Sequence, residues 1–507
     1  MVLMLCSLEG FAQLERTGTP VSWNQELVLT IENEWLGEAN VPILLQEDEA
    51  TLEDRSVPYR FAYAKAVNWN MENSGSWTNL ANGDRLWILG ITYEGAQSVS
   101  VTLGQLNMPK GGRLYLYSDN HLECIGPLTE TDNSTQSITL PHVQGVTLFV
   151  EYYEPRQYRG EGSLAVSFVA GAYRSSVQDF EPLQACNEWI YDDELFATSS
   201  PIQSSVVHVL TDYGQRYATA VMVNNSANDG RPYVILPAQA LMAEPSSLLF
   251  RFGFTNPHCI ESLESCDFQF VSGAEVVVVD QNKGLALLEL NKAPLSNWDA
   301  YYAGWHIGDH METNHYCIQH PKGLVKSYSH YVGEYMPVLQ GSDVFMGLAG
   351  LGHGQSDGGS IGSPLFDEDL DLVGIFVGGN TRCGIPGGID RFILLEEAWS
   401  AFAPFLNPLQ QASERLPGME LPDPIEVTEE TDDLLVYPNP ASEFVLLAGG
   451  PDLKVYSVCI YNSTGRMEQC LSGQSKIDVS TLNEGVYTIR AITSAGAVSK
   501  TLMVTKK

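Results

Sequence analysis

Short stretches in which apolar and polar residues alternate dominate the first third of the chain. Between about residues 18 and 176, the runs GDRLWILGITY, GRLYLYS, VTLFVEYYEP and LAVSFVAG alternate with a period of two and are separated by Gly, Asn or Pro. This period is that of a half-buried β-strand. The pattern predicts an N-terminal β-sandwich over residues 13–178.

The middle of the chain is more continuously apolar and ends in a different pattern. Runs such as SSVVHVL, ATAVMVNN, YVILP, LALLEL and VGIFVGG are short and strand-like, whereas DRFILLEEAWSAFAPFL repeats its apolar residues at helical spacing. Many short strands followed by one amphipathic helix indicate a β-barrel domain, which we expect over residues 183–405.

Two further segments complete the chain. Residues 406–433 are rich in Pro and acidic residues, which is typical of a linker, and residues 434–507 return to strand-like runs. The predicted fold class is therefore mostly β, with three folded domains. That number agrees with a length prior of about 100–200 residues per domain.

Composition supports β structure and narrows the class of partner. The chain has 45 glycines and 23 tyrosines, and only 18% of its residues are charged. Its 27 basic and 62 acidic residues give a formal net charge of −35 at pH 7. Such a surface repels phosphate backbones, so we expect no nucleic-acid partner, and it fits a protein that must stay soluble outside the cell.

The first residues resemble the end of a secretory signal. Residues 1–12, MVLMLCSLEGFA, form an apolar run that ends in a small residue but lack a positively charged start. Leu5 precedes Cys6, and this bulky neighbour makes a lipoprotein anchor the weaker interpretation. No later apolar stretch reaches about 18 residues, so no transmembrane helix is expected.

Eight cysteines remain beyond Cys6, and an exported protein can pair them. They contain no CxxC motif, which gives a structural zinc site little support, and we expect no metal and no cofactor. Residue patterns leave the pairing open for most of them: Cys124, Cys259, Cys266, Cys317, Cys459 and Cys470.

The last 74 residues resemble a known export module. The motifs VYPNPASE, IDVSTLNEGVYTIRA and the closing VTKK occur in this order within residues 434–507. They are similar to the type A sorting domain of the type IX secretion system of Bacteroidetes-type bacteria. The resemblance implies an immunoglobulin-like β-sandwich, engagement of the type IX machinery, and a secreted or outer-membrane surface location. An ordinary adhesive β module is the alternative.

The middle domain resembles the lysyl endopeptidase branch of trypsin-like serine proteases. The motifs are VMVNNSANDGRPYVILPA, LALLELNKAP, YYAGWHIG, CIQHPKG, GSIGSPLFD and VGIFVGGNTRC, in this order. The resemblance implies a trypsin-like double β-barrel, and it makes the preceding β region similar to the pro-region of secreted members. It also implies a disulfide between Cys186 and Cys383.

The three positions of the catalytic triad are substituted in this resemblance. Gln239 stands at the His position, Gly284 at the Asp position and Ile361 at the Ser position. A glutamine amide has no pKa suited to general-base catalysis, and neither glycine nor isoleucine supplies the missing groups. The positions of the family bridge beside the catalytic His, Ala218 and Ala240, are likewise substituted. Backbone amides at Gly359 and Ile361 remain as an oxyanion-pocket remnant.

The former specificity pocket also differs from the family pattern. Val377 replaces a His, Gly387 stands at the nearest match to the lysine-binding Asp, and Asp390 is shifted along the chain. We expect these changes to remove the anchoring charge for a basic side chain.

Other residues offer alternatives. GGSIG matches the G-x-S-x-G elbow with Ser360 as nucleophile, but the flanks do not predict the strand-to-helix turn that the motif requires. His306, His310 and His315 lie near acidic residues, although their spacing is not a recognised metal-ligand pattern.

The leading hypothesis is a secreted, catalytically inactive protease homologue that binds a protein or peptide in the old substrate cleft. The alternatives are an active hydrolase with a relocated catalytic set and a structural or adhesive envelope protein. An inactive domain cannot process itself, so the N-terminal domain is expected to stay attached unless another protease removes it.

Overall fold

The computed structural model describes residues 18–506 except 24–28, 30, 53–54, 175–186, 191–200, 256–268, 296–297, 299, 309–312, 334, 341–342, 350, 383–386, 411, 413, 421–433, 449–454, 463–466, 473–474 and 494–495. The described residues are mostly β-strand, as the sequence predicts. The chain divides into a first unit, residues 1–39 and 64–171, and a second unit, residues 40–63 and 172–507.

The first unit contains two sheets. Strand β1 (Glu32–Leu36) opens it, while α1 (Val41–Leu52) and β2 (Tyr59–Arg60), which come next in the chain, lie in residues 40–63 of the second unit. The remaining strands are β3 (Ala62–Asn70), β4 (Ser76–Asn79), β5 (Arg85–Tyr93), β6 (Ser98–Asn107), β7 (Arg113–Ser118), β8 (Cys124–Leu128), β9 (Ile138–Thr139), β10 (Val143–Gln144), β11 (Thr147–Glu154) and β12 (Ser163–Ala172).

These strands pair into two sheets. One sheet has the order β1-β5-β11-β7-β8 with β4 paired to β5, and the other has the order β10-β6-β12-β3 with β9 paired to β6. Every residue of β5 after Arg85 is buried, which suits a strand with neighbours on both edges. The two sheets agree with the sandwich that the alternating pattern predicts.

The central part of the second unit is built from short strands. They are β13 (Glu188–Trp189), β14 (Val206–Thr211), β15 (Arg216–Met222), β16 (Tyr233–Pro237), β17 (Leu249–Phe252), β18 (Gln269–Ser272), β19 (Ala274–Asp280), β20 (Leu285–Leu290), β21 (Tyr301–Tyr302), β22 (Trp305–His306), β23 (Asn314–Gln319), β24 (Ser327–Val332), β25 (Met336–Gln340), β26 (Asp343–Leu348), β27 (Leu351–His353), β28 (Pro364–Phe366), β29 (Leu372–Gly379), β30 (Asp390–Leu394), β31 (Arg415–Leu416) and β32 (Met419–Glu420).

These strands form two large sheets that share a core. The first runs β18-β17-β14-β15-β16-β20-β19, and the second runs β13-β24-β23-β28-β29-β30-β26-β25. Successive residues of β14 separate to opposite faces: Val206 packs in a cluster that also holds Ile375 of the second sheet, and Val207 packs in the cluster that holds Ile361. This arrangement is consistent with the predicted pair of barrels.

Residues 40–63 group with the protease-like strands rather than with the N-terminal sandwich. The sequence predicts an uninterrupted N-terminal domain over residues 13–178, because α1 and β2 carry no signal for a distant partner. In the structure β2 pairs with β15, with Tyr59 opposite Tyr217 and Arg60 opposite Arg216.

The predicted helix at the end of the barrel region begins later than its pattern indicates. Residues 390–394 form β30, which pairs with β29 and β26, and the helix α2 spans Trp399–Leu406. Pairing on both edges of β30 overrides the helical spacing of its apolar residues. Strands β31 and β32, which the sequence assigns to the linker, pair with β22 and β21.

The C-terminal part forms its own apolar core. Its strands are β33 (Leu435–Tyr437), β34 (Phe444–Ala448), β35 (Val455–Tyr461), β36 (Met467–Ser472), β37 (Lys476–Asp478), β38 (Gly485–Thr493) and β39 (Gly496–Val504). They form the sheets β33-β34-β37 and β36-β35-β38-β39. Cys459 is disulfide-bonded and stands opposite Cys470 in the β35–β36 register.

Short 3-10 helices connect many of these strands. They are Val21–Trp23, Glu130–Asp132, Arg156–Tyr158, Pro201–Ser205, Ala238–Ala240, Pro245–Ser247, Pro321–Gly323 and Leu395–Ala398. Among the described residues, no helix is both long and apolar enough to span a membrane.

Candidate active-site cleft

Gln239 and Gly284 lie side by side at the end of the β16–β20 pair. Pro237 pairs with Leu285, and the next amide, that of Ala238, donates to the carbonyl of Gly284 at 2.8 Å. The Gln239 side chain is exposed. Gly284 has φ +73°, and a Cβ placed on it would meet no atom within 4 Å. The position is spacious but has a backbone conformation that suits glycine better than aspartate.

Ile361 lies beneath the same edge and is completely buried. Its carbonyl accepts a hydrogen bond from the amide of Thr219 at 2.9 Å, and its side chain packs in the apolar cluster that includes Ala218 and Ala240. The next residue, Gly362, is so close to β15 that a Cβ would lie 1.9 Å from the carbonyl oxygen of Thr219. The serine-protease-like loop is therefore held tightly against the strand, with an apolar side chain at its tip.

The three predicted triad positions lie on neighbouring backbone segments. Ala238 joins the Gln239 turn to Gly284, and a Cβ on Gly362 would lie 3.2 Å from Cδ of Pro237, two residues before Gln239. Gln239 offers an exposed amide, Gly284 has no side chain, and Ile361 offers a buried hydrocarbon. This set contains no nucleophile and no base.

The hydroxyl of Ser360 is engaged in a local turn. Its Oγ accepts the amide of Asp357 at 3.0 Å, and its own amide donates to the Asp357 carbonyl at 3.0 Å. The nearby His320 is buried with Nδ1 2.8 Å from the Leu324 carbonyl. Burial first, and the charge of Lys326 second, hold the pKa of His320 well below its usual value. These contacts do not join Ser360 to a histidine.

The oxyanion loop is covered from one side by residues 320–323. The carbonyl of Gly359 accepts the hydroxyl of Thr219 at 3.0 Å, and the carbonyl of Gly358 accepts the amide of Lys322. Gly359 has φ +90°, and a Cβ there would lie 3.0 Å from the carbonyl oxygen of His320. The glycine is therefore required by both its conformation and its close neighbour.

A buried carboxylate lies at Asp390, one of the three residues predicted for the former specificity pocket. Asp390 is completely buried, and its Oδ2 accepts hydrogen bonds from Tyr331 at 2.6 Å, Thr381 Oγ1 at 2.6 Å and Ser356 Oγ at 3.1 Å. Burial raises the pKa of the Tyr331 phenol well above its usual value, and the Asp390 charge adds to that shift. The phenol therefore stays a proton donor to the carboxylate.

Val377 and Gly387 do not contribute polar groups. Val377 is nearly buried in the core shared by the two sheets, and a Cβ on Gly387 would meet no atom within 4 Å. The carboxylate comes from Asp390, the shifted residue. The sequence named Asp390 only as a shifted residue of the former pocket, because its side-chain direction depends on the β29–β30 pairing.

An arginine from the beginning of the chain enters this pocket. Arg55 is only 5% exposed, and its Nη1 donates to Ser356 Oγ at 2.7 Å and to the carbonyl of Thr381 at 2.8 Å. Ser356 accepts from Arg55 and donates to Asp390, so its hydroxyl links guanidinium and carboxylate. Arg55 and Ser356 are 301 residues apart in sequence. No local pattern identifies such a partner.

The chain continues from Arg55 across the cleft. The ring of Tyr59 lies against Gly358, where a Cβ would be 2.7 Å from its Cδ2. Arg216 Nη1 donates to the carbonyl of Pro58 at 3.0 Å, and the rings of Phe61 and Tyr217 stack with centroids 3.8 Å apart. We call residues 55–60 the cleft segment.

Other predicted features have mixed outcomes. Cys186 and Cys383 lie outside the described residues, as does His310, whereas Cys124 and Cys317 are buried free thiols. His306 Nδ1 lies 3.0 Å from Asp367, and His315 is buried in β23. Within the described part of the chain no group of three or more potential metal ligands occurs.

Comparisons with known proteins agree with both resemblances at the level of domains. Residues 185–392 match the family "Lysyl endopeptidase, C-terminal domain", and residues 435–505 match the family "Secretion system C-terminal sorting domain".

Two solved structures are similar to parts of the chain. The MamO protease domain from Magnetospirillum magneticum, in its apo form, is 15% identical, with coverage of 40% of this chain and 97% of that chain and a TM-score of 0.28. Rv3671c from M. tuberculosis H37Rv, in the inactive form of a serine-to-alanine mutant, is 11% identical, with coverage of 44% and 96% and a TM-score of 0.30. These scores are low, and the domain assignments rest on the family matches. The chain thus carries a lysyl endopeptidase C-terminal domain and a type IX sorting domain, which directs it to secretion and the cell surface.

Proposed function

We propose that this protein is a catalytically inactive protease homologue that acts at the cell surface by binding a protein or peptide in its former substrate cleft. The observation that carries the proposal is the burial of Ile361 among apolar side chains, in a loop in which Gly359 and Gly362 have positive φ. A serine nucleophile needs an adjacent base, and the neighbouring positions hold Gln239 and Gly284.

The order of the surrounding groups supports binding over loss of all function. Asp390 has three hydrogen-bond donors around one oxygen, and the loop at Gly359 is held by the Thr219 hydroxyl and the Lys322 amide. A buried carboxylate and a strained loop are destabilising unless they are satisfied, and here both are. The cleft therefore keeps the groups that recognise a chain after losing those that cut it.

The test is reaction of the purified secreted protein with a fluorophosphonate probe, together with cleavage of a random peptide library analysed by mass spectrometry. We expect neither labelling nor cleavage, with trypsin as positive control. The rival, a relocated catalytic set, predicts labelling that disappears in Ser360→Ala and persists in the matched Ser363→Ala. Labelling of the unmodified protein that follows this pattern would overturn the proposal.

A further inference from the structure

The guanidinium of Arg55 is bound as a ligand would be. Removing an arginine from water is costly unless its charge is paired and its N–H groups find acceptors. Arg55 is 5% exposed, and Nη1 reaches two acceptors in the pocket whose charge comes from Asp390. Tyr331 and Thr381 hold the carboxylate from the other side. The pocket thus has a carboxylate and hydrogen-bond acceptors arranged to bind a guanidinium group.

The rest of the cleft segment binds as an added strand. Tyr59 and Arg60 pair with β15, and the amide of Phe61 donates to the carbonyl of Gln215 at 3.1 Å. β15 is also the strand that holds the Ile361 loop through Thr219. Peptides commonly bind by this mode, in which backbone pairing supplies affinity and side-chain pockets supply specificity.

A buried carboxylate also holds the C-terminal end of the cleft segment. Asp48 of α1 accepts hydrogen bonds from Arg60 at 2.8 Å, Tyr173 at 2.6 Å and Arg174 at 2.8 Å. Arg60 also reaches Glu47 at 2.9 Å. These contacts keep the cleft segment close to the pocket, so it competes at a high effective concentration with any free peptide.

We propose that the cleft segment is an internal ligand that closes the binding cleft, and that external partners are arginine-containing chains that displace it from the Asp390 pocket. The identity of the external ligand rests on the binding function proposed above, whereas the closure by Arg55 does not. The occupant is a peptide segment because the site combines a strand edge, which β2 fills beside Arg216 and Tyr217, with a single charged pocket.

The test measures binding of a fluorescein-labelled peptide, LEDRSVPYR, by fluorescence polarisation. This peptide repeats residues 52–60. We expect Arg55→Ala to bind it at least about tenfold more tightly than the unmodified protein, because the competing side chain is gone. A peptide with norleucine in place of its first arginine, and the double variant Arg55→Ala with Asp390→Asn, are expected to lose this gain. Arg159→Ala, at an exposed arginine of the first unit, is the matched control.

Equal binding by Arg55→Ala and the unmodified protein, or equal binding of the norleucine peptide, would refute the inference. Cleavage of the peptide by Arg55→Ala would instead refute inactivity while leaving the closure intact. If Arg55→Ala does not fold, hydrogen exchange in Asp390→Asn decides. Exchange at the amides of Val57, Tyr59, Arg60 and Phe61 should then rise at least about tenfold over the unmodified protein, and unchanged exchange there contradicts the closure.

Discussion

At the residue scale, the substitution at Ile361 has become part of the core. Ile361, at the predicted nucleophile position, holds a side chain with no exposed surface. Local sequence predicts that the serine is missing there, but it does not predict that Ile361 packs with Ala218 and Ala240. That contact requires the β15 strand and the 3-10 helix after β16 to be brought together.

Restoring serine at this position is therefore expected to destabilise the protein without restoring activity. Ile361→Ser should lower the free energy of unfolding of the second unit by about 3–5 kcal/mol, because it leaves a cavity and buries a hydroxyl. Ile361→Val should lower it by only about 1 kcal/mol. Denaturant unfolding followed by tryptophan fluorescence measures both. Equal stability of the serine and valine variants would contradict the buried placement.

A second residue-scale prediction concerns pH. Lys326 is 2% exposed, and burial lowers its pKa to about 7, whereas the unfolded chain has the ordinary value of 10.5. His208 and His320 beside it have pKa values held well below 6.5 by burial, and Arg251 stays charged. Above about pH 7 the unfolded state keeps a proton that the folded state has lost.

The free energy of unfolding should consequently rise with pH between about 7 and 10, by up to about 1.4 kcal/mol per pH unit from this one group. Below pH 7 this group should add no pH dependence. Lys326→Met is expected to remove that slope. The measurement is the difference in unfolding free energy between the variant and the unmodified protein at pH 6, 7, 8 and 9. A difference that does not change over this range would show that Lys326 is charged in the folded state.

At the element scale, the turn that ends at Gly284 is fixed by backbone hydrogen bonds and by one carboxylate. The turn from Asp280 to Gly284 closes through the Gly284 amide to the Asp280 carbonyl at 2.8 Å, and Asp280 Oδ1 accepts the amides of Asn282 and Lys283. This turn needs a positive φ at its last residue. The strands on either side were predictable from their apolar runs, whereas the φ of Gly284 depends on the paired geometry of β19 and β20.

Gly284→Ala is therefore expected to destabilise the protein by about 1 kcal/mol through backbone conformation alone, since a Cβ there meets no atom within 4 Å. Gly37→Ala is a matched control, because its site is equally open and has no positive φ. Thermal unfolding of the two variants checks the difference. Equal melting temperatures would show that the Gly284 conformation is not strained for alanine.

Strands that follow from their own apolar pattern were predicted well. Elements whose position depends on a partner distant in sequence were predicted poorly. β14 and β20 follow from their own composition. By contrast, the apolar spacing of β30 predicts a helix, but the segment pairs as a strand with β26 and β29. Strand β2 has only two residues and pairs with β15, which is more than 150 positions away in sequence.

At the scale of the whole molecule, the sorting strands and the proposed binding cleft belong to different parts of the chain. The sorting strands have a core of their own, in which Val445, Ile460 and Ile489 are completely buried. Arg490 of β38 also forms an ion pair with Glu289 of the protease-like sheet at 3.1 Å. Such a partly exposed pair contributes little to stability, so removal of the tail should leave the preceding domain folded.

Deletion of residues 434–507 is expected to abolish appearance of the protein at the surface and in the medium of a host with a type IX system, while the protein accumulates inside the outer membrane. Immunoblots of cell fractions and medium measure this. A periplasmic reporter fused to residues 434–507 is the control and should be exported. Unchanged secretion of the truncated chain would contradict the assigned role of the tail.

The sequence by itself determined the types of domain, because strand periodicity and ordered motifs are local properties. Through a family resemblance it also predicted that Gln239, Gly284 and Ile361 stand at the triad positions. Only the tertiary structure decided that Asp390 still supplies a buried carboxylate and that Arg55 occupies its pocket. Both facts depend on side-chain directions and on a contact between residues 301 positions apart, and such contacts are set by packing rather than by any neighbouring residue.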